Sequence, residues 1–234
     1  FFRNEGDSLS ALERELFHSI EKSYHLYLLL LLLPENMVEH AQAKIELGKQ
    51  KFRPSPEELN PNLRFVQNRA VAALAACKEL QAKANDNRLN WNHFPEVTKS
   101  LFNHFVASDF FSDYMNAEHN SFADDKAVLV NLLSKILNAN DDFEAFLEEQ
   151  SIYWNDDLEF VSSMAAKTIK KIDENTASVP VMSLFSNADD EEFAKRLLRK
   201  TVLRHKENLE LIDKFTVNWE LDRIAAMDIA IMEM

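Results

Sequence analysis

The chain has 234 residues and only two glycines, which leaves too little turn chemistry for an all-β or dinucleotide-binding α/β fold. Hydrophobic residues make up 46% of it, enough to build a sizeable core and to exclude a disordered tail. The net charge of −13 excludes a chain that grips nucleic acid through its overall field, so any phosphate contact must come from a local basic patch, whereas a basic protein partner suits the acidic surface.

Ser10 and Glu13 have the spacing of a capping box, and Leu9, Leu12, Leu16 and Ile20 continue at helical spacing into six leucines at 28–33. That run is far short of the ~20 apolar residues a bilayer span needs, so it reads as a deeply buried helix end, with no membrane segment and no signal peptide. Pro34 is expected to end the helix, because the residue before a proline is pushed out of helical geometry. It can then serve in the first turn of a second helix over 35–51. Three prolines between Arg53 and Pro61 mark a linker. Helices are expected over 62–84, 94–116, 122–138, 141–150 and 156–174, with a break at 85–87 and a loop containing Pro180 at 176–187. Two strong helices, 189–215 and 218–234, close the chain. There is no alternating strand pattern and no internal repeat, so the fold class is all-α. The sequence opens on Phe1 and stops at Met234 inside a helical pattern, and both ends read as trimmed.

Signals for chemistry are weak. The single cysteine, Cys77, cannot form an internal disulfide, which suits a reducing, cytoplasmic setting; its alanine neighbours make it a small core residue. Glu15 and His18 form one Glu-x-x-His pair, and His25 shares the His18 face, but a carboxylate-bridged metal site in a bundle needs two such pairs and two more glutamates. No second pair occurs, nor any glycine-rich phosphate loop, Gly-x-Ser-x-Gly elbow or His-Glu-x-x-His. No catalytic residue, metal or cofactor is therefore expected. The aromatic stretch 102–114, with Phe105, Phe110 and Phe111, lacks the interleaved basic residues of a base-stacking platform and reads as core.

The 189–215 helix carries Phe193, Leu197, Leu198, Val202, Leu209 and Ile212 on one side, with His205 there as a half-buried packing residue. Elsewhere on it Lys195, Arg199 and Lys206 form one stripe, and Arg196, Lys200 and Arg204 another. Six basic residues within twelve positions make the one such concentration in an acidic chain. They are either a phosphate-contacting face or an ordinary solvated one. In the last helix Ile224, Met227, Ile231 and Met234 are spaced to face a core. Arg223 lies at the edge of that face as a structural guanidinium in need of a partner, and Trp219 is an anchor between helices. Asp222 and Asp228 point away from it.

Residues 218–233, with Asn218, Trp219, Arg223, Ile224 and the Met227–Asp228 pair leading an aliphatic helix, resemble a conserved core segment of the NusB transcription antitermination family. The preceding helix, Glu192 to Ile212, also fits that family. The resemblance covers 189–234, and 1–33 more loosely; the family's arginine-rich N-terminal segment and its last helices have no counterpart here. It implies a NusB-like helical core built from 1–33 and 189–234, interrupted by a helical insertion at 34–188. It also implies a non-enzymatic bacterial factor. Such a factor pairs with NusE, a small basic ribosomal protein, and binds a boxA-type element on nascent ribosomal RNA. It then helps the RNA polymerase elongation complex read through termination signals. Acidic residues at the places of Asp222 and Asp228 face NusE in the family. The alternative is a helical protein-interaction scaffold without an RNA role.

Overall fold

A computed structural model describes residues 8–216 and 223–234, and every regular element among them is helical. Residues 1–20 with 183–234 form one compact unit, and residues 21–182 form another.

Helix α1 runs unbroken from Leu9 to Lys49, with Pro34 inside it, so the expected stop at Pro34 and the separate helix over 35–51 are not found. The capping-box reading fails too, since Ser10 already lies within the first turn. Local chemistry loses at Pro34 because of burial. Leu26, Leu28, Leu30, Leu31, Leu33 and Met37 are all fully enclosed, as is Tyr27 apart from 1%. Each such side chain contributes about 1.5–3 kcal/mol of apolar burial, which outweighs the ~3 kcal/mol that a proline costs a helix interior. The leucine tract is thus the buried middle of a helix rather than its end.

After the proline-rich segment, where only α2 (Pro56–Leu59) is helical, two further expected helices divide. The first becomes α3 (Arg69–Ala76) and α4 (Lys78–Asp86), separated at half-buried Cys77, whose ψ of 100° is extended. The second becomes α5 (Pro95–Val106) and α6 (Asp109–Asn116). There Ser108 leaves helical geometry and its hydroxyl accepts from the Phe111 amide. Helix α7 (Phe122–Asn131) passes into a π-helical turn, Leu132–Leu137. Helices α8 (Asp141–Gln150) and α9 (Leu158–Lys170) follow, joined by a 3-10 turn at Ile152–Trp154.

Leu129, Leu132, Leu133 and Leu137 pack with Val161, Ala165 and Ile169 of α9 in the middle of this unit's core. The aromatic stretch is core, as its composition suggested. Phe105 is fully buried, and its ring meets Phe65 and Phe111 edge-on at centroid distances of 5.2 and 4.7 Å.

Two polar networks are set into that core. The Asp125 carboxylate, fully buried, accepts from the Tyr114 hydroxyl at 2.8 Å and from Arg69 Nε at 2.8 Å, while Asn68 donates to the Asp125 carbonyl at 3.0 Å. Burial, with Asp125 beside it, pushes the Tyr114 hydroxyl well above its ordinary pKa. In the second network the Tyr27 hydroxyl meets Thr168 Oγ1 at 2.8 Å and accepts from the Met182 amide at 3.0 Å. Tyr24 donates to the Met182 carbonyl at 2.6 Å, and Lys83 donates to Tyr24 at 2.9 Å. Residue 182, within the loop that follows α9, is thereby tied to α1 through both of its backbone polar groups.

The other unit contains the first turns of α1 with α10 (Ala188–Leu203), α11 (His205–Phe215) and α12 (Ala226–Glu233). Its packing is of a different kind. Among its described residues only Thr201 and Glu233 are buried, and neither is hydrophobic.

Candidate nucleic-acid and partner interface

Helix α10 starts where Asn187 accepts the Asp190 amide at 2.9 Å, and its first turn carries Asp189, Asp190 and Glu191. That acidic start complements the positive end of the helix dipole and confines the basic residues to its later turns. The expected single helix over 189–215 breaks at Arg204, which takes φ −106° and ψ 11°. No glycine or proline marks the break. It coincides instead with a tertiary contact: His205 Nδ1 pairs with the buried Glu233 carboxylate at 2.8 Å, and Asn208 reaches the Glu233 carbonyl at 3.3 Å. These bonds join α11 to α12, and His205 is half-buried as expected.

The six cations separate into two chemically distinct sets. Lys195 pairs with Glu191 at 2.7 Å and lies 5.1 Å from the centre of the Phe17 ring. Arg199 grips the Glu13 carboxylate with Nε and Nη2, and this pairing holds the Glu13 carboxyl below its ordinary pKa. Both residues therefore carry charge that α1 or α10 already neutralises. Arg196, Lys200 and Arg204, at successive positions i, i+4 and i+8, are exposed, and none forms an ion pair with a described residue. Lys206 is exposed as well, but it stands on α11, beyond the break. Arg196 and Lys200 on α10 and Arg204 at its C-terminal cap thus have no carboxylate partner among the described residues, although the Arg196 guanidinium lies 6.0 Å from the centre of the Phe193 ring.

The apolar expectations for this region are corrected. Leu197, Leu198, Val202, Leu209 and Ile212 are half-buried, yet Phe193 is 54% exposed. Three of the four residues assigned to a core on the last helix are open to solvent, Met227, Ile231 and Met234 being between 63% and 71% exposed, while Ile224 is half-buried. Helix α12 is two turns long, and its packing against α11 covers the side that bears Glu233. Arg223 lies before α12, exposed, with no ion pair to a described residue. Asp228 is exposed in the first turn of α12, where it favours the helix dipole. Trp219 and Asp222 fall outside the described residues.

Features that sequence reasoning did not bring forward lie in residues 21–182. Besides the Asp125 network, an apolar cleft of 420 Å³ opens between α1, α5, α6 and the segment after α2. Neither leaves a local motif, since each is assembled from residues tens of positions apart. His25, expected to share the His18 face, is buried with Nε2 3.1 Å from Asn87 Oδ1. Among the described residues, no three His, Cys, Asp or Glu side chains are grouped to hold a metal ion, and no helix is long and apolar enough to cross a membrane. No family model, curated protein or solved structure matches the chain.

Proposed function

We propose that this chain is a NusB-like transcription antitermination factor that binds boxA-type RNA together with NusE and promotes readthrough by RNA polymerase. The observation that carries the reading is the row of exposed cations Arg196, Lys200 and Arg204, none ion-paired with a described residue, one helix upstream of the segment 218–233 that resembles the family. In a chain of net charge −13, such a row concentrates positive charge where phosphates can be met without a competing internal carboxylate. Lys195, Arg199 and Lys206 flank it and extend the basic field. Asp222 and Asp228 supply acidic charge for basic NusE, which steers association more than it adds affinity.

A second reading, a helical interaction scaffold without RNA, is favoured by one observation: Met227, Ile231 and Met234 present an apolar face on α12. A titration of the chain against purified NusE, with and without boxA RNA and at two salt concentrations, separates the two. Antitermination requires that NusE bind and that RNA tighten the complex less at the higher salt. NusE binding that RNA leaves unchanged establishes the scaffold, and failure of NusE to bind sinks the antitermination reading for this polypeptide.

A further inference from the structure

The cleft in residues 21–182 is lined by residues of α1, α2, α5 and α6 and of the segment after α2. Its floor and walls are apolar, with Phe65 and Phe102 buried beneath it and Ile45, Val106, Phe111 and Met115 half-buried around it. Its volume of 420 Å³ lies within the range of about 300–1,000 Å³ in which small-molecule sites fall. Gly48 keeps one edge open. A β-carbon there would approach Glu58 Cγ at 3.3 Å, so the glycine lets α2 close onto the end of α1.

Three charged residues line the mouth, and they are not equivalent. On the α2 side, Glu58 is committed: its carboxylate accepts from the Ser55 amide at 2.8 Å and pairs with Lys51. Glu57 beside it is held ionised by the Ser55 hydroxyl and its own backbone amide. On α1, Lys44 stands exposed, its ammonium 5.9 Å from the centre of the Phe102 ring, with no ion pair to a described residue. The cleft thus offers an aromatic and aliphatic interior, one lysine without an ion pair to a described residue, and two glutamates of which Glu58 is already paired with Lys51.

We propose that this cleft is a binding site for a small amphiphile with an apolar tail and a single anionic head, the tail lying over Phe65, Phe102 and Phe111 and the head against Lys44. The two glutamates set the specificity. A compact monoanion takes the Lys44 contact and a bulkier polyanion meets Glu57, whereas a cationic head forfeits Lys44 and has only the exposed Glu57 to pair with, since Glu58 is held by Lys51 and the Ser55 amide. The site is independent of the α10 cations and of RNA, so neither proposal stands or falls with the other.

Isothermal titration of the whole chain with dodecanoate and with dodecyltrimethylammonium, both below their micellar concentrations, tests this. Dodecanoate is expected to saturate one site and to bind about tenfold more tightly than the ammonium, which is what one charge-assisted contact supplies. Lys44→Ala, at an exposed position, should erase that preference while leaving the tail's contribution. Val106→Trp, which fills the cleft, should abolish binding of both, with circular dichroism reporting that the helices persist. The proposal is overturned by no saturable binding of dodecanoate, by equal affinities for the two heads, or by a preference that survives Lys44→Ala. Should Val106→Trp fail to fold, the Lys44→Ala comparison alone decides.

Discussion

Asp125 shows how much of this protein's specificity rests on a group the hydrophobic pattern cannot explain. It sits in α7 among residues that build the core, has no exposed surface, and is satisfied by Tyr114, Arg69 and, through its carbonyl, Asn68. A buried carboxylate is tolerated only when its lone pairs are met, and here both of its oxygens accept. Asp125→Ala takes the carboxylate acceptor from the buried Tyr114 hydroxyl and frees Arg69, which is 45% exposed and can turn to water, while the Asn68 bond to the backbone carbonyl of residue 125 is kept. Because one partner can recover its hydration, the loss should fall at about 3 kcal/mol, the lower end for a broken buried pair. Urea denaturation should therefore show a lower midpoint at an unchanged slope.

Tyr114 adds a pH dependence of definite sign. Its folded pKa is raised above the ordinary value of 10.0 by burial and by Asp125, so above that pH the unfolded chain releases a proton that the folded chain retains. The stabilisation is complete below pH 10 and is lost as the pH rises beyond it. Tyr27, raised by burial, adds to the same decline. Tyr114→Phe should make the alkaline fall in stability shallower while lowering stability at neutral pH by about 2 kcal/mol, the worth of a hydrogen bond to a charged group. An unchanged alkaline slope in that variant would remove Tyr114 as its source.

At the scale of elements, the positions of helices were legible in the sequence and their ends were not. Period-3.6 patterning located α7, α8 and α9, whose apolar faces are written into their own residues, and the helical character beyond residue 188, although the single helix expected over 189–215 is two. Boundaries depended on partners far away. Pro34 carries the strongest local stop signal in the chain and is overruled by burial on every side. Arg204 carries none, and the helix bends there where Glu233 holds His205. The six cations were legible as a cluster. Their division into paired and unpaired sets was not, since Glu13, which takes Arg199, lies 186 residues away. Pro34 also yields a test. Pro34→Ala restores a backbone donor within α1 and removes a ring that costs a helix interior about 3 kcal/mol, against a cavity of two methylenes costing about 2 kcal/mol. A net gain of about 1 kcal/mol in chemical denaturation is expected. Destabilisation would show instead that the pyrrolidine ring is irreplaceable packing between the buried leucines.

Considered as a whole, the molecule places two unlike surfaces on one acidic chain, and on the proposed reading its behaviour toward RNA is decided by local charge against a repulsive background. The net charge of −13 opposes any polyanion at long range and is screened within about 10 Å at 0.1 M salt. Binding then depends on the cations at contact, and each phosphate neutralised on a single strand contributes about −0.7 to the slope of log K against log salt. Arg196, Lys200 and Arg204 have no ion pair to a described residue, so replacing all three with alanine should reduce the magnitude of that slope by about 2. Lys195 and Arg199 are already balanced by Glu191 and Glu13, and their double alanine variant should change the slope by less than half as much. Glu13→Gln, conversely, releases Arg199 and should strengthen RNA binding, an effect no purely solvated face would give. Fluorescence anisotropy of a labelled boxA RNA with the chain and NusE, across four salt concentrations, measures all three. Equal slopes in the triple and double variants would mean that phosphates do not distinguish free cations from paired ones, and the assignment of the RNA face to this row of α10 would be lost.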